Sequence, residues 1–180
     1  MTLDEFWEHI QATKCKNADE HVELLIKRLA KLKPDEIVDF DHWWGLMKRE
    51  AYHWHLWGAA YLINGGCSDD GFIDFRSWLI LQGRDIFHAA VSNPDSLADV
   101  LGSEDHDRVR CECYPATGAW FKATKTEYND AGYQAWHDAV TARHSEPFRK
   151  HDMGERWDFN DEEEMRKRLP RLSELYLDLE

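Results

Sequence analysis

Asp69, Asp70, Asp74 and Arg76 crowd the segment GGCSDDGFIDFR, with Cys67 and Ser68 just ahead of them. Carboxylates four residues apart share a helix face, so Asp70 and Asp74 could together hold a cation or an amine, while Arg76 lies nearer the opposite side. Trp54 and Trp57 precede the Gly65-Gly66 pair and could wall such a site. These six residues are the candidate ligand-binding set, a polar group beside a glycine turn. The competing reading is structural: Asp69 and Asp70 open a helix, where backbone N–H groups stabilise their charged forms and make them weak bases near pH 7. Arg76 would then pair with a neighbouring helix. No motif of known catalytic mechanics occurs in the chain, and no catalytic residue is assigned.

Cys67 at a helix N-terminus could carry a lowered pKa and act as a thiolate, given a base such as His53 or His88 in space. A buried, inert thiol is the competing expectation. Cys111 and Cys113, one residue apart, do not match the spacing of structural zinc sites. His53-Trp54-His55 invites a metal reading, but on a helix residues two apart point about 200° away from each other. His9, His137, His144 and His151 are isolated in sequence, with a solvated face as their default. No metal site and no cofactor are expected. The nine tryptophans could form a cage for a quaternary ammonium group, yet the helical spacing of Trp44, Trp54 and Trp57 favours core.

The elements that must position these residues are helices. Thr2-Leu3-Asp4-Glu5 has the form of a capping box, and Val22, Leu25, Ile26, Leu29 and Leu32 mark one face of a second helix, with basic residues toward its C-terminal end. From Pro34, apolar positions run in steps of three and four to Tyr61, a face that Gly45 could divide into two helices and Gly65-Gly66 ends. Ser68 or Asp69 caps a helix carrying Phe72, Phe75 and Leu79, Gly83 leads into another, and Asn93-Pro94-Asp95 opens a short one. Tyr133, Trp136 and Val140 mark a further helix, and Asn160 with Glu163 forms a second capping-box pattern before a stop at Pro170. Period-two alternation never persists. The expectation is an all-α fold, a single compact multi-helix domain over residues 1–180, with a short two-stranded element near residues 109–124 as an option, pairing Val109–Tyr114 with Trp120–Thr124.

Composition bounds the partners. The 180 residues suffice for a core without disulfides or metals, and no apolar run approaches the ~18 residues of a membrane span. The start MTLDEFWEHIQ lacks the pattern of a secretory signal, so a cytoplasmic home with reduced cysteines is expected. The 35 acidic and 22 basic side chains leave a net charge of -13, which repels phosphate backbones and anionic lipid. Nucleic acid and membrane are therefore excluded as partners, and a basic or neutral protein or peptide, or a small polar molecule, is favoured. The ten histidines would shrink that negative charge below about pH 6.

The run LWGAAYLINGGCSDDGFIDFRSWLILQGR, followed by NPDSLADVL, resembles the bacterial domain-of-unknown-function family 4240. The opening LDEFWEHI and an acidic segment before LPRLSELY resemble it as well, so the likeness covers nearly the whole chain. The family implies no established reaction, cofactor or catalytic residue. Its members look to carry Arg and Asp where this chain has His53 and His55, a departure that argues further against a histidine metal site.

Two functions of different class follow. One is a non-catalytic interaction protein that binds a basic partner as a regulator, an adaptor or an antidote to a toxin. The other is a small enzyme or ligand-binding domain with its cleft at the Gly65-Gly66 turn.

Overall fold

A computed structural model describes residues 1–106, 108–144 and 151–177. The fold is all-α: ten α-helices and two 3-10 helices among the described residues, and no strand. The chain divides into two compact units, Met1–Met47 with Cys113–Lys150, and Lys48–Glu112 with His151–Glu180.

In the first unit, α1 (Leu3–Gln11) begins with the capping box as its residues dictate: Thr2 N–H donates to Glu5 at 2.7 Å and Glu5 N–H to Thr2 Oγ1 at 3.2 Å. Asn17 caps α2 (Ala18–Leu29), whose buried Leu25 and Leu29 lie on the face read from the sequence. Phe6 and Ile10 of α1 and Ile37 and Phe40 of α3 (Pro34–Glu50, most of which belongs to this unit) are fully buried. The rings of Phe6 and Phe40 meet at 4.8 Å. Helix α7 (Pro115–Thr124) packs on α2, where the bare Cα of Gly118 leaves room for Ile26. Helix α8 (Asp130–Arg143) buries only Gly132, so its Tyr133 stays half exposed.

In the second unit α4 (Trp54–Ile63) is the central element. Leu56, Trp57, Ala59, Ala60, Leu62 and Ile63 are all buried, as befits a helix apolar on every side. Around it pack α5 (Asp69–Leu81), α9 (Glu162–Arg168), α10 (Pro170–Tyr176) and the 3-10 helix Pro94–Asp99, with α6 (Arg84–Ser92) against α5 and that 3-10 helix. Helix α10 has no cap of its own. Asp95 supplies one, accepting the N–H groups of Arg171 and Leu172, each at 3.0 Å. Residues 151–160, with no regular structure, form a strap on α4. Met153 O accepts the Trp54 N–H at 2.9 Å, Tyr61 donates to Asn160, and the Trp157 ring lies where a Cβ on Gly58 would be.

Three details correct the sequence reading. The two-stranded option at 109–124 does not form. The backbone of Val109 is gripped by the Asn64 amide at 3.1 and 3.2 Å and Cys111 N–H donates to Asp74 O, so the groups of a ladder are taken, while Trp120 to Thr124 belong to α7. Helix α3 runs unbroken through Gly45 and ends instead at Glu50, because Tyr52 and His53 leave the helix. The cap of α9 is Asp161, one residue beyond Asn160, accepting from Glu163 and Glu164. No helix of the described residues is long and apolar enough to cross a membrane.

Candidate functional site

The Gly65-Gly66 turn is formed as its glycines allow, with φ of 62° and 131°, and Gly66 N–H closing onto Tyr61 O at 2.8 Å. Ser68 is the cap of α5, its hydroxyl accepting the Gly71 N–H at 3.2 Å. Asp69 and Asp70 stand exposed in the first turn and converge on nothing described.

Arg76 is 8% exposed and points into protein. It donates to Phe72 O at 3.2 Å and Lys48 O at 2.6 Å, and its guanidinium lies 4.6 Å over the Tyr52 ring and 4.9 Å over Phe72. It forms no ion pair among the described residues, and Asp74 is not its partner. Burial, then the charges of Glu112 and Asp70 against those of Lys48 and Arg110, leave the Asp74 carboxyl above its ordinary pKa.

Trp54 and Trp57 stack at 5.2 Å and 5°, and Trp57 stacks on Phe72 at 4.9 Å, a pile of rings in which Trp57 and Phe72 are buried and Trp54 is half-buried. The outer face of Trp54 is covered by Arg156 at 5.1 Å. Burial first, and then Asp74, push the Cys67 thiol up to about 11, the reverse of an activated nucleophile. The structure thus brings Trp57, Cys67 and Arg76 together as packing and leaves Asp69 and Asp70 at the surface.

A second polar cluster lies at the other end of α4. His53 is not helical: with φ −144° and ψ 154° it is the N-cap, and its Nδ1 accepts the Leu56 N–H at 3.2 Å. Because His53 stands outside the helix, the 200° separation of residues two apart within one helix does not apply, and His53 and His55 both line one cleft of about 480 Å³. Glu50, Val91, His151, Asp152, Glu155 and Arg168 line it too.

The tautomers follow from the bonds. Nδ1 of His53 is an acceptor, so the proton of the neutral ring sits on Nε2. Burial, and then His55 and His151, lower the His53 pKa to about 4, which keeps the ring neutral near pH 7. His55 Nε2 meets Arg168 O at 3.3 Å, which leaves its Nδ1 as an acceptor. The Nε2 atoms of His53 and His151 are both shut from water and meet no partner in strict hydrogen-bond geometry among the described residues, although the Val91 backbone interacts with the His53 ring and works against the lowering of its pKa. Each such group costs roughly 1–3 kcal/mol until something meets it.

Among the lining carboxylates, Glu155 is paired with Arg168 at 3.2 Å, Glu50 faces His88 at 3.5 Å, and Asp152 accepts the Gly154 N–H at 2.9 Å. Among the described residues no three His, Cys, Asp or Glu side chains are grouped so that they could hold a metal ion. His53 could not join such a group through Nε2 without giving up its cap or its last proton. This cleft escaped the sequence reading because Tyr52-His53 carries no Gly, Pro, Ser or Asn to mark a helix break, and His151 is far off in the chain.

The first unit holds a third cluster, around Asp39, which is 7% exposed. Arg143 donates to it at 2.6 and 2.9 Å, His144 at 3.0 Å and the Met1 ammonium at 2.7 Å. The Arg143 guanidinium, against the opposing effect of burial, holds this carboxyl well below the usual carboxylate range. His144 is therefore not the solvated residue expected, and its ring stacks on His42 at 4.0 Å. His9 likewise accepts from Arg28 at 2.9 Å, and His137 is exposed. All four cysteines are free.

Residues 1–121 match the model of the family described as "Protein of unknown function (DUF4240)", and the chain belongs to that family. No curated protein and no solved structure matches it.

Proposed function

We propose that this member of the family is a cytoplasmic, non-catalytic binding module for a basic or neutral protein or peptide, acting as a regulator, an adaptor or an antidote to a toxin. The observation that supports this reading is the charge balance of the α4 cleft. Its carboxylates are Glu50, Asp152 and Glu155, while Arg168 is already tied to Glu155 and the half-buried His53 ring stays neutral. A cationic group entering there meets a field of the sign that the whole chain carries at -13.

Native mass spectrometry of the protein purified gently from its host tests this. A co-purifying protein of net positive charge, released by raising the salt several-fold, is expected, because screening shortens the reach of exposed charges. A small-molecule or metal adduct without any protein would overturn it.

A second reading, a ligand-binding or enzymatic site for a small polar molecule at the Gly65-Gly66 turn, is favoured by one observation. The buried Arg76 guanidinium has no carboxylate partner among the described residues and so could receive an acceptor group. An adduct lost in Arg76→Ala would select that reading.

A further inference from the structure

We propose that the groove along α4 now filled by residues 151–160 is the docking surface for the basic partner, and that this strap is a plug the partner replaces with a segment of its own, an arginine or lysine followed by an aromatic residue. The inference rests on the binding reading above and names the surface and the segment bound.

The strap is held as a bound peptide is held. It has no regular structure and none of its residues is buried, so it lies on the fold rather than in it. Its internal hydrogen bonds are local turns, Asp152 with Gly154 and Asp158 with Asn160. The groove fixes it instead. Met153 O accepts the Trp54 N–H, Asn160 accepts the Tyr61 hydroxyl, and Phe159 lies against the rings of Trp54, Trp57 and Tyr61 at 6.1, 6.4 and 5.5 Å. A main-chain donor, a hydroxyl donor and three rings suit any extended segment that brings a carbonyl and an aromatic side chain.

Two features set the sequence of that segment. Gly58 has no side chain, and the Trp157 ring lies where its Cβ would be, which makes the helix surface there a notch for a flat ring. The Arg156 guanidinium lies 5.1 Å over Trp54, so the groove takes a cation one residue before the ring in the notch. A basic residue there also matches the field of a chain at -13.

The plug fits this groove imperfectly. Trp157 Nε1 and His151 Nε2 are both shut from water with no hydrogen-bond partner among the described residues, and each regains one when the strap lifts into water. That penalty weakens the strap alone. A competing segment with phenylalanine in the notch does not carry it.

The probe is the amidated heptapeptide Gly-Lys-Arg-Phe-Lys-Phe-Asn with a fluorophore on its N-terminus, titrated into the full chain and followed by anisotropy. One control has alanine for both phenylalanines, and another has glutamine for the three basic residues. In Trp157→Ala/Phe159→Ala, which removes the two rings of the plug, the probe should bind about ten-fold or more tighter than in the wild type, and each control about ten-fold weaker than the probe. Adding Gly58→Leu fills the notch and should cut the probe's binding by about ten-fold or more. A glutamate-specific protease, with a site at Glu155 and none in the probe, should cut the wild-type strap several-fold faster in millimolar probe, an arm that depends on no variant.

Equal affinity for wild type and double variant, binding indifferent to Gly58→Leu, or a strap-cleavage rate unchanged by the probe overturns the plug. Equal binding of the glutamine control overturns the cation contact, and absence of binding to a double variant with its helical circular dichroism intact overturns the surface. The Gly58→Leu/Trp157→Ala/Phe159→Ala protein, carried through the native-mass measurement, separates the two claims. A basic partner retained undiminished overturns this surface and leaves the binding reading standing, whereas the absence of any basic partner from the wild type overturns the binding reading.

Discussion

His53 Nδ1 accepts the Leu56 N–H at 3.2 Å, and that single bond both caps α4 and decides which ring nitrogen keeps the proton. Because burial lowers its pKa from 6.5 to about 4, the folded state binds fewer protons than the unfolded chain between those values. Stability therefore falls as the pH drops from about 6.5 toward 4. His53→Asn keeps an N-cap acceptor and removes the titration. Urea unfolding at pH 7 and pH 4.5 should show a loss in the wild type about 2 kcal/mol larger than in the variant. An identical loss in both proteins would mean that the ring is not held neutral. His9, His21 and His42, shifted downward by the same cause, leave the variant a slope of its own.

The Asp39 carboxylate gathers Arg143, His144 and the Met1 ammonium. Asp39→Asn should cost about 1–3 kcal/mol near neutrality, since it removes charge-assisted bonds at a mostly buried site. The folded pKa is depressed below the ordinary 3.8, so the contribution is present above that value and is lost as the pH falls through the folded one. The gap between wild type and variant should accordingly close in acid, as measured by urea midpoints at pH 7 and pH 2.5.

Gly58 is needed because the Trp157 ring occupies the place of its Cβ. In Gly58→Ala the strap over α4 must lift, at about 1–3 kcal/mol, although alanine favours the helix itself. Limited proteolysis should cut the variant first between residues 151 and 160. Adding Trp157→Ala should restore part of the stability lost, and no recovery would place the clash elsewhere.

Arg76 bridges two carbonyls while lying on Tyr52 and Phe72. Arg76→Ala should cost about 2–4 kcal/mol, by leaving Lys48 O and Phe72 without this donor and opening a void beside the rings. Arg76→Lys should regain less than half, because an ammonium cannot span both acceptors while lying flat on the rings. Thermal unfolding of the three proteins decides it, and an Arg76→Ala protein as stable as the wild type would show that the residue is not structural.

Much of the helical frame was legible locally. The Thr2-Glu5 capping box, the Leu25-Leu29 face of α2, the Ser68 cap and the Gly65-Gly66 stop each depend on residues within a few positions of one another. Elements whose ends rest on distant partners were misplaced. The break at Tyr52-His53 is held by Met153 bonding Trp54, and the segment at Val109 is held by Asn64, which no local pattern could reveal.

The candidate site divides along the same line. By itself the sequence determined the family, the helical class, the acidic balance and the crowding of polar groups after Gly66, because these follow from composition and short-range spacing. Only the tertiary structure decided that Arg76 turns inward onto carbonyls and rings and that His53, His55 and His151 share one cleft. Burial lowers the His53 pKa and long-range hydrogen bonds hold Arg76 and His55 in place, and both exist only once the chain has folded on itself.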